Sequence, residues 1–146
     1  RASLERLAEI AEAAGVTLAV EPEHTNVVST AERARKMLAE VGSERLKIVF
    51  DAANLIDTAD LRETTIKSVV SHALNVLGPD IVLTHAKELV ADRSAVAPGQ
   101  GVLPWPWIVD ALSAAGYDGT VVTHGLPVAS VPAAVHTLAP LLTKAA

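Results

Sequence analysis

Residues 47–54 read KIVFDAAN. Ile48, Val49 and Phe50 form an apolar run of strand length, and the run ends abruptly in the carboxylate of Asp51. Two alanines and Asn54 follow. Three other stretches repeat the pattern: VTLAVEPEH (16–24) ends in Glu21, DIVLTHAKE (80–88) reaches His85, and TVVTHG (120–125) reaches His124. A short apolar run bounded by turn signals reads as a strand buried on both faces. Four such runs, each ending in an acid, base or ligand side chain, point to one site at one end of a sheet.

Helical patterns fill the spaces between these runs. SLERLAEIAEAA (3–14) is amphipathic at helical spacing, with Ser3 as its expected cap and Gly15 as its stop. Thr30 opens a second helix that Gly42 closes. A long third helix is expected to start at Thr58 or Asp60 and to break at Gly78-Pro79. Pro104 and Pro106 suit the first turn of a fourth helix, ending near Ala115, because proline is tolerated there. Ser130 to Leu142 closes the chain, with Pro140 expected to kink or fray its last turn. The strands are expected at 16–20, 46–50, 81–84 and 120–123. Strands separated by helices of this length need parallel crossovers. The fold class is therefore α/β with parallel βα units, as a small open sheet or as half of an eight-stranded βα barrel.

Composition narrows the function. Half of the 146 residues are hydrophobic and only 3% aromatic, as in an Ala-, Val-, Leu- and Ile-built α/β core. The length suits one domain, 1–146. A net charge of -5 leaves no basic footprint for nucleic acid. The absence of cysteine excludes disulfides and thiolate metal sites. No apolar run approaches the ~20 residues of a membrane span, and no signal peptide is visible, so the expected location is cytoplasmic. No Gly-rich phosphate fingerprint follows any strand. The chain enters a helical pattern directly at Arg1, which suggests that a segment precedes it.

Glu21, Asp51, His85 and His124 make an oxygen and nitrogen donor set suited to Mn, Mg, Co or Zn. In a parallel α/β fold, ligands bind at the carboxyl ends of the strands, where all four lie. A lone polar residue at a strand end is more often only solvated; four together are harder to dismiss. Glu23 and His24 follow the first strand, and Asn54 either caps the next segment or contacts a substrate hydroxyl. Lys87 lies two residues after His85 and shares its side of an extended chain. Glu88 and Arg93 belong to a loop, 87–102, long enough to act as a lid, with Arg93 a candidate for an anionic group. His72 and His136 fall inside helices and read as structural, and Trp105 and Trp107 as core.

The runs AVEPEH, FDAANL, THAKE, GQGVLPW and GYDGTVVTH together resemble the sugar phosphate isomerase/epimerase family of xylose isomerase-like TIM barrels. The resemblance covers essentially the whole chain but only the C-terminal half of that fold, strands five to eight. It implies a single (βα)4 half-barrel, a fragment of a longer barrel that pairs with another copy or with a missing N-terminal half. The family's divalent metal is held by glutamate, aspartate, histidine and a second glutamate. The first three fall on Glu21, Asp51 and His85; the fourth position carries His124. Asn54 stands where many members show histidine, and Glu88 where an aspartate often follows the lysine. The implied activity is isomerisation or epimerisation of a small sugar or sugar phosphate, by proton transfer through a metal-stabilised enediolate. Glu21 and His124 are then the catalytic pair, and His24, Asn54, Lys87 and Arg93 the substrate contacts. The alternative is a non-catalytic metal- or sugar-binding remnant of the fold, since His124 weakens a two-glutamate mechanism. The abasic-site endonuclease branch of the superfamily fits less well, because it calls for a basic DNA surface.

Overall fold

A computed structural model describes residues 2–56, 60–92, 94 and 96–145. Its order is α1 (Ala2–Ala14), β1 (Leu18–Val20), α2 (Ala31–Val41), β2 (Leu46–Asp51), α3 (Ala52–Leu55), α4 (Glu63–Leu77), β3 (Ile81–His85), α5 (Trp105–Ala114), β4 (Val121–Val122) and α6 (Val131–Ala145). The four strands are parallel and lie side by side in chain order. This is the arc of a βα barrel, as the sequence implies.

Alternation along β2 explains the layering. Leu46, Ile48 and Phe50 turn to the helices and are at most 1% exposed. They meet Ala34, Met37 and Leu38 of α2 and the stripe Ile66, Val70, Ala73, Leu74 and Leu77 of α4. That stripe repeats at three- and four-residue spacing, so one face of α4 covers the sheet. Trp105, Ile108 and Leu112 extend the same layer from α5. Each large side chain buried in this way contributes about 1.5–3 kcal/mol. Val49 and Asp51 alternate onto the opposite face, so the core that anchors β2 also fixes the direction of the Asp51 carboxylate.

Register does the rest. Ile48 pairs with Ile81 but Val49 pairs with Leu83, so β3 accommodates one extra residue, Val82, which is 42% exposed. A bulge of this kind re-aims the residues beyond it. Beyond it Asp51 pairs with His85, and His85 in turn with Val122. The strand ends that carry the candidate site are therefore level.

Several local expectations need correction. Helix α1 begins at Ala2, so Ser3 lies inside its first turn and is not the cap. Val16 is exposed and β1 starts only at Leu18. Helix α4 starts at Glu63, later than Asp60, and Arg62 offers it no side-chain cap; Thr58 lies outside the described residues. β4 is two residues long, shorter than the expected 120–123. Helix α6 runs from Val131 to Ala145 with Pro140 inside it, so it starts one residue after the expected Ser130 and continues past Leu142. Thr30 and Gly42 behave as expected: the Thr30 hydroxyl accepts from Arg33 N–H at 3.3 Å, and Gly42 closes α2 at φ 65°.

Candidate metal centre and adjoining cleft

Asp51 holds two roles on one carboxylate. It is the N-cap of α3, where Oδ1 accepts from the N–H groups of Ala53 at 2.9 Å and Asn54 at 3.3 Å. That short helix follows because small alanines fit where the chain turns directly off β2. The other oxygen, Oδ2, is buried and accepts no hydrogen bond among the described residues. It lies 3.5 Å from Lys87 Nζ and 3.6 Å from His124 Nε2. Burial pushes the Asp51 carboxyl above its ordinary range; the Lys87 charge and the Asn54 N–H pull against this, Glu21 adds to it, and His124 opposes it.

Glu21 arrives from the end of β1, held in place where Pro22 stops the strand. Its Oε1 accepts from Asn54 Nδ2 at 2.7 Å and from His85 Nδ1 at 3.0 Å. A carboxylate only accepts, so Nδ1 of His85 carries a proton in this contact. Lys87 donates to Asn54 Oδ1. The Asn54 amide is thus oriented at both ends, by an ammonium on its oxygen and by a carboxylate on its nitrogen. The His85 and His124 rings lie beside one another, with centroids 4.2 Å apart.

The donor atoms of Glu21, Asp51, His85 and His124 all fall within 4.8 Å of one another. Ligands about 2.0–2.2 Å from a tetrahedral ion sit roughly 3.3–3.6 Å apart. The Asp51–His124 separation already lies at that spacing, and both atoms are buried and unpartnered among the described residues. Leaving such atoms unpaired is costly, so the arrangement fits a divalent cation. The four residues can hold a metal ion.

A cleft of about 210 Å³ opens beside this cluster, lined by Glu23, His24, Asn54, Lys87, Glu88 and Gly125 among others. His24 Nδ1 lies 3.2 Å from the Asn54 carbonyl, which can only accept, so Nε2 is the acceptor of the neutral ring. Glu23 accepts from Asn26 Nδ2 at 3.0 Å. Arg93 lies outside the described residues.

Glu88 has a role that the sequence hides. It is 6% exposed, and its carboxylate accepts from the N–H groups of Leu89 (2.8 Å), Gly99 (2.7 Å) and Leu103 (3.1 Å) and from Trp105 Nε1 (3.1 Å). It gathers the loop that follows β3 and ties it to the start of α5. The one sequence signal was the Gly-Gln-Gly turn ahead of a tryptophan: Gly99 has φ 90°, and a Cβ on Gly101 would sit 2.3 Å from the Leu89 carbonyl oxygen. His72 pairs with Glu32 on the helical surface and is not among the clustered donors. Trp105 is buried in the core, and Trp107 packs against it with Lys67 Nζ 5.3 Å from its ring.

Among curated proteins none matches the sequence significantly. Solved structures do match. A D-psicose 3-epimerase from Clostridium cellulolyticum H10, crystallised with D-tagatose, is 26% identical, with a TM-score of 0.68 over 85% of this chain and 40% of that one. An L-ribulose 3-epimerase is 24% identical, with a TM-score of 0.76 over 99% of this chain and 53% of that one. A xylose isomerase-like TIM barrel protein from Mycobacterium smegmatis, in complex with magnesium, is 16% identical, with a TM-score of 0.72 over 97% and 48%. The chain spans about half the length of these structures or somewhat less. The sequence profile of one family, the xylose isomerase-like TIM barrel, matches residues 1–140. The chain belongs to the xylose isomerase-like TIM barrel family.

Proposed function

We propose that the chain forms the metal-binding half of a sugar isomerase or epimerase, acting by proton transfer at a carbon next to a carbonyl. The observation that carries this reading is the convergence of Glu21, Asp51, His85 and His124 beside a polar cleft. The sugar epimerases among its structural neighbours support the substrate class. Glu21, Asp51, His85 and His124 are the ligands. A bound divalent cation supplies a Lewis acid that polarises the substrate carbonyl and acidifies the neighbouring C–H.

Glu21 is the base. Its Oε1 is fixed by Asn54 and His85, which leaves Oε2 to take the proton. His124 is the second acid/base group, placed across the cluster against Asp51 Oδ2. Lys87, Asn54 and His24 line the cleft with two donors and an acceptor suited to hydroxyl groups, and so orient the sugar. Arg93 is the fourth contact proposed. Among the described residues β1 and β4 are the edge strands of the sheet, and completion of the barrel by further strands, from a second copy or a separate segment, supplies the remaining wall.

The test is exchange of the carbon-bound proton of a ketose in D2O, followed by NMR, with Mn2+ or Co2+ added. Exchange that disappears in Asp51→Ala supports the reading. Metal binding with no exchange for any ketose or aldose tried would replace it with the second reading, a non-catalytic metal- or sugar-binding remnant, for which His124 is the specific argument.

A further inference from the structure

The proposed centre differs from an all-oxygen site in one respect that decides which ion it takes. Two of its four donors are imidazole nitrogens, and they come from adjacent strand ends, with ring centroids 4.2 Å apart. Mg2+ favours hard oxygen ligands and keeps much of its water. Zn2+ accepts imidazole readily and closes a four-ligand set of nitrogen and oxygen. His124 Nε2 is buried, lacks a hydrogen-bond partner among the described residues and faces the equally unpartnered Oδ2 of Asp51 at 3.6 Å. These two atoms would offer a bound cation one nitrogen and one oxygen donor.

Charge points the same way. Glu21 and Asp51 bring two negative charges, enough to neutralise one divalent ion, while the Lys87 ammonium stands 3.5 Å from Asp51 Oδ2. A hard ion bound mainly by charge is disfavoured by that neighbouring ammonium. A borderline ion that draws on the imidazole nitrogens depends on charge less.

We propose that His124 is the specificity-determining residue of the centre and tilts it toward Zn2+ and away from Mg2+. The inference rests on the reading that the four residues hold one cation. Most nitrogen and oxygen sites prefer zinc to some degree, and His124 widens that preference here.

The experiment is calorimetric titration of chelator-treated full chain with Zn2+ and with Mg2+, in wild type, His124→Glu and His124→Gln, with melting curves to check folding. In His124→Glu the ratio of Zn2+ to Mg2+ affinity falls about tenfold or more. In His124→Gln, Zn2+ binding weakens about tenfold or more while Mg2+ binding changes less than about threefold. A variant-free measurement accompanies these: saturating Zn2+ shifts the His124 ring nitrogen resonances of wild type by direct coordination, and saturating Mg2+ shifts them much less. An unchanged ratio in both variants, or Zn2+ binding that leaves the His124 resonances unmoved, overturns the proposal while the four-residue centre stands. Failure of the centre itself has a different signature: no cation binds wild type, or Zn2+ binds Asp51→Ala as tightly.

Discussion

At the scale of single residues, two carboxylates in this chain are buried for opposite reasons. Asp51 keeps one oxygen unsatisfied and turned toward the candidate metal centre. Glu88 has both oxygens saturated by four donors. The difference predicts different responses to an isosteric change. Glu88→Gln removes the charge and turns an NH2 toward N–H donors, whichever way the amide is placed. Two hydrogen bonds to a charged acceptor become donor–donor contacts, at a cost of about 2–4 kcal/mol. Urea denaturation of Glu88→Gln should show a lower midpoint with an unchanged slope. A midpoint equal to that of wild type would mean that the carboxylate does not hold the loop. The sequence exposed Asp51 readily, because a carboxylate that ends an apolar run stands out. It hid Glu88, because a glutamate in a polar loop looks solvated until the loop is seen to fold back on it.

At the scale of elements, the strands and long helices were legible because hydrophobic periodicity survives over ten residues or so. Helix α3 was not: four residues carry no period, and its cap is the Asp51 read as a ligand alone. β4 covers only Val121 and Val122, in register with Thr84 and His85 of β3, and the Ala86 N–H past β3 still donates to the Val122 carbonyl at 2.8 Å. The loop after β3 is held by close approach as well as by Glu88. Gly101→Ala would place a methyl group 2.3 Å from the Leu89 carbonyl, which is backbone and already accepts from Val102 N–H at 3.0 Å. The expected loss is about 1–3 kcal/mol. A thermal melt is the check; Gly101 does not have a positive φ, so the loss reads the close contact and not backbone strain.

A second device works at the opposite end of the sheet. Asp80, just before β3, accepts from Arg35 of α2 at 2.6 Å and from Lys47 of β2 at 2.9 Å, and Arg35 also donates to the Val76 carbonyl of α4. Partial burial pushes the Asp80 carboxyl up, but the hydrogen bonds and charges of Lys47 and Arg35 outweigh it, and the net shift is downward. A folded-state pKa below the unfolded value means stability that is present above the unfolded value, near 3.8, and lost as pH falls through the folded one. Asp80→Asn should therefore be less stable than wild type at pH 6, and the gap should close as pH drops below about 4. Parallel urea titrations at several pH values give the gap directly; one that stays constant down to pH 2 would remove the ion network from the account.

At the scale of the whole molecule, the alternation of strand and helix in the sequence leads directly to the parallel sheet in chain order, because βα crossovers leave few other topologies. The level of the strand ends was not legible, since it depends on the extra residue at Val82 and no composition signal marks a bulge. That level is what brings ligand candidates from β1, the end of β2, β3 and the segment after β4 to one point. A cation bound there ties together all four strand ends, so unfolding anywhere along the sheet must release it. Binding to the folded state alone, at a free concentration one hundred times the dissociation constant, adds about 2.7 kcal/mol. For a domain of this size that corresponds to a rise of about 5–10 °C in the melting midpoint. The measurement is a thermal melt of wild type and of Asp51→Ala with Zn2+ or Mn2+ against chelator. Wild type should gain the full shift and Asp51→Ala essentially none, with the small drop of the lost helix cap, about 1 kcal/mol, visible in chelator alone. Equal shifts in both proteins would mean that the ion sits elsewhere and that the four side chains converge for another reason.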